Sequence, residues 1–367
     1  MAVISFKCPN CDGELIFDPS SGKYKCEYCL SKFTQQELDA LTPASGMERP
    51  AGGADGNTVP SDTAGTDDAN GERAADGEEA VIYSCPSCGA EIVTDATTAA
   101  TFCYYCHNPV VLGGRLEGNY LPNKIIPFQI DKKEAEKRFL AYVKKKKFVP
   151  KAFFNKRQIT MLSGVYFPYW MYDATFRGNI QAEAKNVRVW VRGNKEYTET
   201  KYYHVEREGE VDLNHLAENA LQKANKQLVE GVLPYQFDTM KDFTMGYLSG
   251  FTAEKRDIEK EALAESMQGE MQNYAKSLMR ETISGYSSVN VKNNRLTVAK
   301  DTWNYVLLPV WTLTYKAQNG KLYYYSMNGQ TGKVCGELPI DYKKLSLVSG
   351  IVAAVTLGLG LLGGFLI

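Results

Sequence analysis

Histidine is almost missing from this chain: His107, His204 and His215 are the three in 367 residues. No H-E-x-x-H run occurs, and His204 and His215 stand alone among polar residues, each expected at a surface or sheet edge. A phosphate loop is also lacking. Gly329-Gln330-Thr331-Gly332-Lys333 resembles a fragment of one, but Met327 stands where the first glycine is needed and Val334 where a Ser or Thr is needed. Neither a G-x-S-x-G elbow nor a dinucleotide fingerprint is present. The chain has no excess of either charge, with a net −1 that points to no particular partner. It shows no secretory signal. Outside two short motifs it has a single cysteine, Cys335, expected as a buried or idle thiol because no histidine lies near it in sequence. Catalysis has no positive support, and the chain is expected not to be an enzyme.

The other eight cysteines fall into one figure used twice. Cys8-Pro9-Asn10-Cys11 is followed after fourteen residues by Cys26-Glu27-Tyr28-Cys29. Cys85-Pro86-Ser87-Cys88 is followed after fourteen more by Cys103-Tyr104-Tyr105-Cys106. A C-x2-C turn lets two sulfurs reach one ion, and a second such turn closes a tetrahedral site. Disulfides are the competing use of these sulfurs, and a redox C-x-x-C is a further one. Paired turns without a secretory signal favour metal over both. Four ligands leave no open coordination position, so two structural zinc ions are expected. Cys8, Cys11, Cys26 and Cys29 would hold one, and Cys85, Cys88, Cys103 and Cys106 the other. His107, next to Cys106, is an alternative ligand. Gly89 follows the knuckle of the second copy, where a positive φ is useful, whereas Asp12-Gly13 stands there in the first.

The fold class expected is α+β: two small zinc ribbons, a larger domain of antiparallel sheet and helices, and one C-terminal transmembrane helix. The first ribbon occupies residues 1–43. Its few apolar residues (Phe6, Leu15, Ile16, Phe17, Tyr24, Phe33) leave much of the folding free energy to the metal. Thr34 and Glu37 make a capping-box pattern for a short helix to Leu41. Residues 44–80 carry nine acidic and two basic side chains and almost no large apolar ones, leaving +6 on the rest of the chain. Such a segment buries too little to offset its ordering entropy. It is expected as a disordered acidic linker that lets the first ribbon move freely relative to the second. The second ribbon occupies 81–118.

Residues 119–342 form the α+β domain. Ile125, Ile126, Phe128 and Ile130 read as an entering strand. Asp131 caps a helix through Lys147, with Ala135, Phe139 and Tyr142/Val143 on one face. Further helices are expected over Lys151–Thr160, Leu213–Glu230 and Phe251–Thr282, the last with a stripe of Ile258, Ala262, Met267, Met271, Tyr274 and Leu278. Strands are expected at 165–172, 187–191 and 197–205, with a Gly193-Asn194 turn, then at 288–292 and 295–299 around Asn293-Asn294. Strands at 305–316, 321–327 and 334–338, with turns at Asn319-Gly320 and Asn328-Gly329, complete the sheet. Phe167-Pro168-Tyr169-Trp170 echoes Leu308-Pro309-Val310-Trp311. The echo fits two similar strands of one sheet or an internal duplication.

Leu345–Ile367 is 23 residues without a charge. At about 1.5 Å per residue it spans about 34 Å, enough to cross a hydrocarbon core. Its five glycines suit a membrane helix better than a soluble core helix. Lys343-Lys344 precede it and place the N-terminal bulk in the cytoplasm, where thiols stay reduced. The expectation is a single-pass, tail-anchored protein of the cell membrane. Gly360-x-x-x-Gly364 is a spacing that can pack two such helices together as a homo-oligomer. A basic run (Lys132, Lys133, Lys137, Arg138, Lys144 to Lys147, Lys151, Lys156, Arg157) can meet nucleic-acid phosphates or anionic lipid head groups, or be a solvated helix face. Given the anchor, lipid is the nearer partner.

These features resemble a family of membrane-associated bacterial proteins, common in Gram-positive gut bacteria, described as carrying a zinc ribbon of the transcription-factor-IIB type. The matching residues are the Cys-Pro-x-Cys knuckles, Tyr166-Phe167-Pro168-Tyr169-Trp170, the run 247–255 from Tyr247-Leu248-Ser249-Gly250 to Lys255, Leu308-Pro309-Val310-Trp311 and Asn328-Gly329-Gln330-Thr331-Gly332-Lys333. Some members are likened to the primosomal replication-restart helicase, which has paired C-x2-C turns. A helicase motor needs the phosphate loop that is missing here. The expected function is a non-catalytic, membrane-anchored adaptor whose ribbons bind a protein or nucleic-acid partner. The alternative is nucleic-acid binding in replication or transcription.

Overall fold

The computed structural model describes residues 3–4, 6–41, 81–85, 91–94, 97–102, 109–112, 116, 120–150, 153, 159–222, 224, 226–316 and 321–365. The acidic segment, three cysteines of the second motif (Cys88, Cys103, Cys106), His107, the Asn319-Gly320 turn and most of the helix expected over 151–160 lie outside them.

Three long strands organise the molecule: Ser163–Arg192, Lys195–Asn219 and Ser288–Lys316. The first pairs antiparallel with both others, through Tyr169↔Asn219 to Arg192↔Lys195 on one side and Ser163↔Thr312 to Lys185↔Ser288 on the other. The tight Gly193-Asn194 turn, with Gly193 at φ +64°, joins the first two. Shorter strands extend the sheet, whose path runs from Val3–Ile4 through 109–112, 98–102 and 252–254 to the first long strand, then by 288–316 and 322–328 to 334–336. The class is α+β as expected. The sheet is mixed, because 252–254 joins Val165–Tyr166 and Lys124–Ile125 joins Val306–Leu307 in parallel.

The core follows from which faces are covered. Tyr166, Tyr169, Met171 and Tyr172 are buried at the base of the first long strand, where the sheet has cover on both sides. Farther out, Phe176, Ile180, Ala182 and Ala184 form one buried face at period two. The helix Lys260–Glu281 covers part of the core with Met267, Met271, Ala275 and Met279, four residues apart. The helix Lys132–Lys144 buries Ala135, Phe139 and Val143, and the Asp131 carboxylate accepts from Glu134 N at 2.8 Å. It stops at Lys144, three residues before its expected end, because the chain turns with Lys146 N donating to Val143 O.

Several expectations are corrected. The helix over 213–230 is absent over its first part. Those residues continue the second long strand to Asn219, and a short helix covers Lys226–Gly231. Cross-strand partners from Tyr169 to Ala174 satisfy the backbone there, which overrides local helical preference. The helix over 251–282 begins at Lys260, because Thr252–Glu254 pairs with two strands, one of them at Thr98 and Ala100. Its buried stripe keeps Met267 and Met271 but uses Ala275 and Met279, leaving Tyr274 exposed. Asn293-Asn294 is no turn: the strand runs through it, with a bulge where Gln181 meets Asn293. The two Pro-containing echoes lie side by side, Tyr166 opposite Pro309 and Phe167 opposite Leu308, as two strands of one sheet.

The helix Tyr342–Phe365 is long and apolar enough to cross a membrane, and none of its window Tyr342–Leu359 is buried. A helix filling a soluble core would bury most of that window. Here Leu347, Ile351, Val352, Val355, Leu357 and Leu359 are all exposed.

Candidate metal centre

The first cysteine motif folds as a three-stranded ribbon of Leu15–Asp18, Lys23–Cys26 and Lys32–Phe33, followed by the helix Gln35–Leu41. Each cysteine pair sits in a tight knuckle. Asp12 N donates to Cys8 O (2.9 Å) and Cys8 N to Gly13 O (2.6 Å). In the second knuckle Leu30 N donates to Cys26 O (3.1 Å) and Cys26 N to Ser31 O (2.9 Å). The residue after each pair, Asp12 or Leu30, has φ near +60° (58° and 62°), so the two turns share one shape. The positive φ expected after the knuckle falls on Asp12 itself, a residue type that tolerates that region.

The turns bring four sulfurs together. Cys8 Sγ lies 3.6 Å from Cys29 Sγ and Cys11 Sγ 3.5 Å from Cys26 Sγ, and all four lie within 4.8 Å of one another. A disulfide needs about 2.05 Å, so these cysteines are unbridged. A tetrahedron with metal–sulfur bonds of about 2.3 Å has edges of about 3.8 Å, close to the observed spacing. The donor set fits one tetrahedral ion held by Cys8, Cys11, Cys26 and Cys29. Cys8 and Cys26 are buried, Cys11 and Cys29 exposed.

The electrostatics favour a cation. Ser31, through its hydroxyl and its backbone, holds the Cys29 thiol down to about 6. The backbone of Gly13 acts to lower Cys11, but hydrogen bonds to Cys29 and Cys26 outweigh it and push that thiol up to about 12. Burial pushes Cys8 up, against hydrogen bonds from the backbone of Asn10 and Cys11. Four adjacent sulfurs cannot all ionise without a positive charge among them, and an ion bound there would supply it.

The ribbon is docked on the large sheet body, contrary to the expectation of free movement. Its buried Phe17 and Tyr24 meet Tyr247, with ring centroids 5.2 and 6.5 Å apart. Phe17 N donates to Ser249 O (3.1 Å), and Ser249 Oγ donates to Leu15 O. Tyr24 Oη donates to Gln35 Oε1 at 2.6 Å, and Thr244 Oγ1 donates to the same oxygen at 3.4 Å. A Cβ on Gly246 would stand 2.5 Å from Tyr24 Oη, and one on Gly250 (φ +89°) would overlap Ile16 Cγ2. On the other side of this segment, Lys255 N donates to Thr97 O, and the Thr97 hydroxyl donates to Glu254. The stretch 244–255 therefore touches both cysteine-bearing regions. Sequence reading singled out 247–255 but gave it no role. Its small residues beside aromatic ones were the available signal.

Of the second motif, Cys85 is described and buried, and its three companions are outside the described residues. Cys335 lies half-buried on the strand Val334–Gly336, near Gly231. Gly329–Lys333 is a turn between strands. Asn328 Oδ1 accepts from Gln330 N and Thr331 N (2.8 Å each), and its amide donates to Val232 O (3.0 Å). His215 has φ +67° and stacks on Phe237 at 4.8 Å, its amide donating to Asp173 across the bulge.

No family model matches the chain, and no solved structure does. Among curated proteins, it is 32% identical over 369 residues to the uncharacterized protein YdjG of Bacillus subtilis (strain 168), covering 99% of this chain and all of that protein. At that identity over nearly the full length of both, the chain belongs to the family of the Bacillus subtilis uncharacterized protein YdjG.

Proposed function

We propose that the chain is a membrane-anchored, non-catalytic adaptor that offers a zinc-ribbon tip to a protein partner on the cytoplasmic side. The observation that carries this reading is the closed set of four sulfurs. With all four positions taken, an ion there stabilises a shape and has no site for substrate. The shape it stabilises ends in a partly apolar knuckle, where Tyr28 is 78% and Leu30 64% exposed. An aromatic and an aliphatic side chain on a metal-braced turn are anchors suited to a protein surface. The ion is taken as zinc, with a second at Cys85, Cys88, Cys103 and Cys106. The anchor is the helix Tyr342–Phe365, and Lys343-Lys344 before it set the orientation.

The test is affinity capture from native membranes with the full chain and with the double variant Tyr28→Ala, Leu30→Ser, both checked for metal by elemental analysis. The adaptor reading expects about two zinc per chain in both and a protein recovered by the parent alone. Identical recoveries, or none, would defeat it. The second reading, a nucleic-acid-binding protein tied to replication or transcription, draws on the exposed lysines of the run 132–147. Its signature would be nucleic-acid affinity that falls steeply as salt rises.

A further inference from the structure

The stretch Lys144–Lys147 of the basic run lies at the foot of the apolar helix, although some two hundred residues separate them in sequence. Asp341 N donates to Phe148 O at 2.7 Å, and Lys344 Nζ donates to Val149 O at 3.3 Å. These bonds fasten the chain just past Lys144–Lys147 to the first turn of the helix Tyr342–Phe365. Lys144, Lys145, Lys146, Lys147 and Lys343 are all exposed there, with Lys344 beside them. Among the described residues, the one carboxylate ion-paired within this corner is Asp341, 3.4 Å from Lys344 Nζ. Tyr342, 70% exposed, stands at the start of the helix. Tyr142, on the preceding helix, has Lys146 Nζ 5.6 Å from its ring centre.

We propose that this corner is a binding surface for anionic lipid head groups, formed by Lys144–Lys147 and Lys343–Lys344. It rests on the reading of the Tyr342–Phe365 helix as a membrane anchor. A helix entering the hydrocarbon from Tyr342 brings its first turn to head-group depth. The two hydrogen bonds, one from the Asp341 backbone and one from the Lys344 side chain, bring the lysines with it, so the phosphates of the leaflet are the nearest anions. Tyrosines beside the lysines suit the same zone, where an aromatic ring sits in the interface and its hydroxyl in water. Lysine stems reach sideways and upward along such a surface. Clustered basic residues next to a membrane helix attract anionic lipid by about fivefold in binding constant per residue near the surface. Duplex nucleic acid is disfavoured as the occupant, because a bilayer at this depth would cover the same corner.

The test uses the full chain in vesicles of phosphatidylcholine, alone or with phosphatidylglycerol. Alkaline washing and flotation first establish insertion. Association of spin-labelled phosphatidylglycerol is then compared with that of spin-labelled phosphatidylcholine. The proposal expects a severalfold preference for phosphatidylglycerol. The preference should fall clearly in the quadruple variant K144Q, K145Q, K146Q, K147Q, which leaves Lys343 and Lys344 in place, and approach unity in high salt. It should survive in the control K195Q, K201Q at the far hairpin. A chain that floats but shows no preference, or one that the quadruple variant retains, would overturn the lipid surface and leave the anchor standing. A chain that fails to float would overturn the anchor and this surface with it. Salt-sensitive DNA binding through the same lysines in the vesicle-bound chain would assign the corner to nucleic acid and overturn the proposal.

Discussion

Cys11 and Cys29 are solvent-exposed, so neither is retained by packing as Cys8 and Cys26 are. Replacing Cys11 by Ser should therefore remove one equivalent of metal per chain with little direct loss of core contact, and elemental analysis would read it. Because metal binding and ribbon folding are coupled, the variant should also expose residues 6–41 to protease. Thr34 is a second single-residue test. Its hydroxyl accepts from Glu37 N (3.2 Å), while Glu37 Oε2 accepts from Thr34 N at 2.7 Å. Thr34→Ala should cost the ribbon about 1 kcal/mol, seen as a lower melting midpoint. The cysteine spacing and the Thr34–Glu37 pair were both legible in the sequence, because each is a local pattern whose geometry its own few residues determine. The contacts of Ser249 with Leu15 were not, since the two partners are 234 positions apart in sequence.

Elements that contact distant strands were the hardest to read. Residues 213–219 carry a helical spacing, yet a partner strand some forty residues earlier sets their conformation. The run 252–254 was absorbed into a helix for the same reason. Helices with a strong cap and one clear face, such as Lys132–Lys144, were found with all three buried positions. At this scale the junction between Asp341 and Phe148 can be tested. A hydrogen bond from the backbone of Lys344, joined by the Lys344 ammonium and opposed by desolvation, holds the Asp341 carboxyl below the usual carboxylate range. A group with a depressed folded value stabilises the junction fully above its ordinary pKa and loses that effect only as pH falls through the folded value. Amide exchange over 341–346, corrected for intrinsic rate, should thus show constant protection from pH 8 to 5 and fraying below about 4. Asp341→Ala should fray throughout.

For the molecule as a whole, the seat at 244–251 decides where the ribbon is. Gly250→Val should dislodge the ribbon through Ile16 while leaving the cysteines untouched. The expected result is unchanged metal content with faster cleavage around residues 15–25 in limited proteolysis. Equal cleavage rates would show that the seat is not needed. Length, charge pattern and the apolar end suggested separate modules on a chain. They did not show that the modules are seated on one sheet, because that depends on surfaces matching across the fold. The seat also changes what the covalent link between 41 and 81 contributes. Strand Val3–Ile4 pairs with Val111–Leu112, and the ribbon rests on Tyr247 and Ser249, so both ends of that link are already fixed by noncovalent contacts. Lengthening it twofold should cost only about 0.6 kcal/mol. A chain cut once within it should still migrate as one particle, its amino-terminal fragment released only by denaturant.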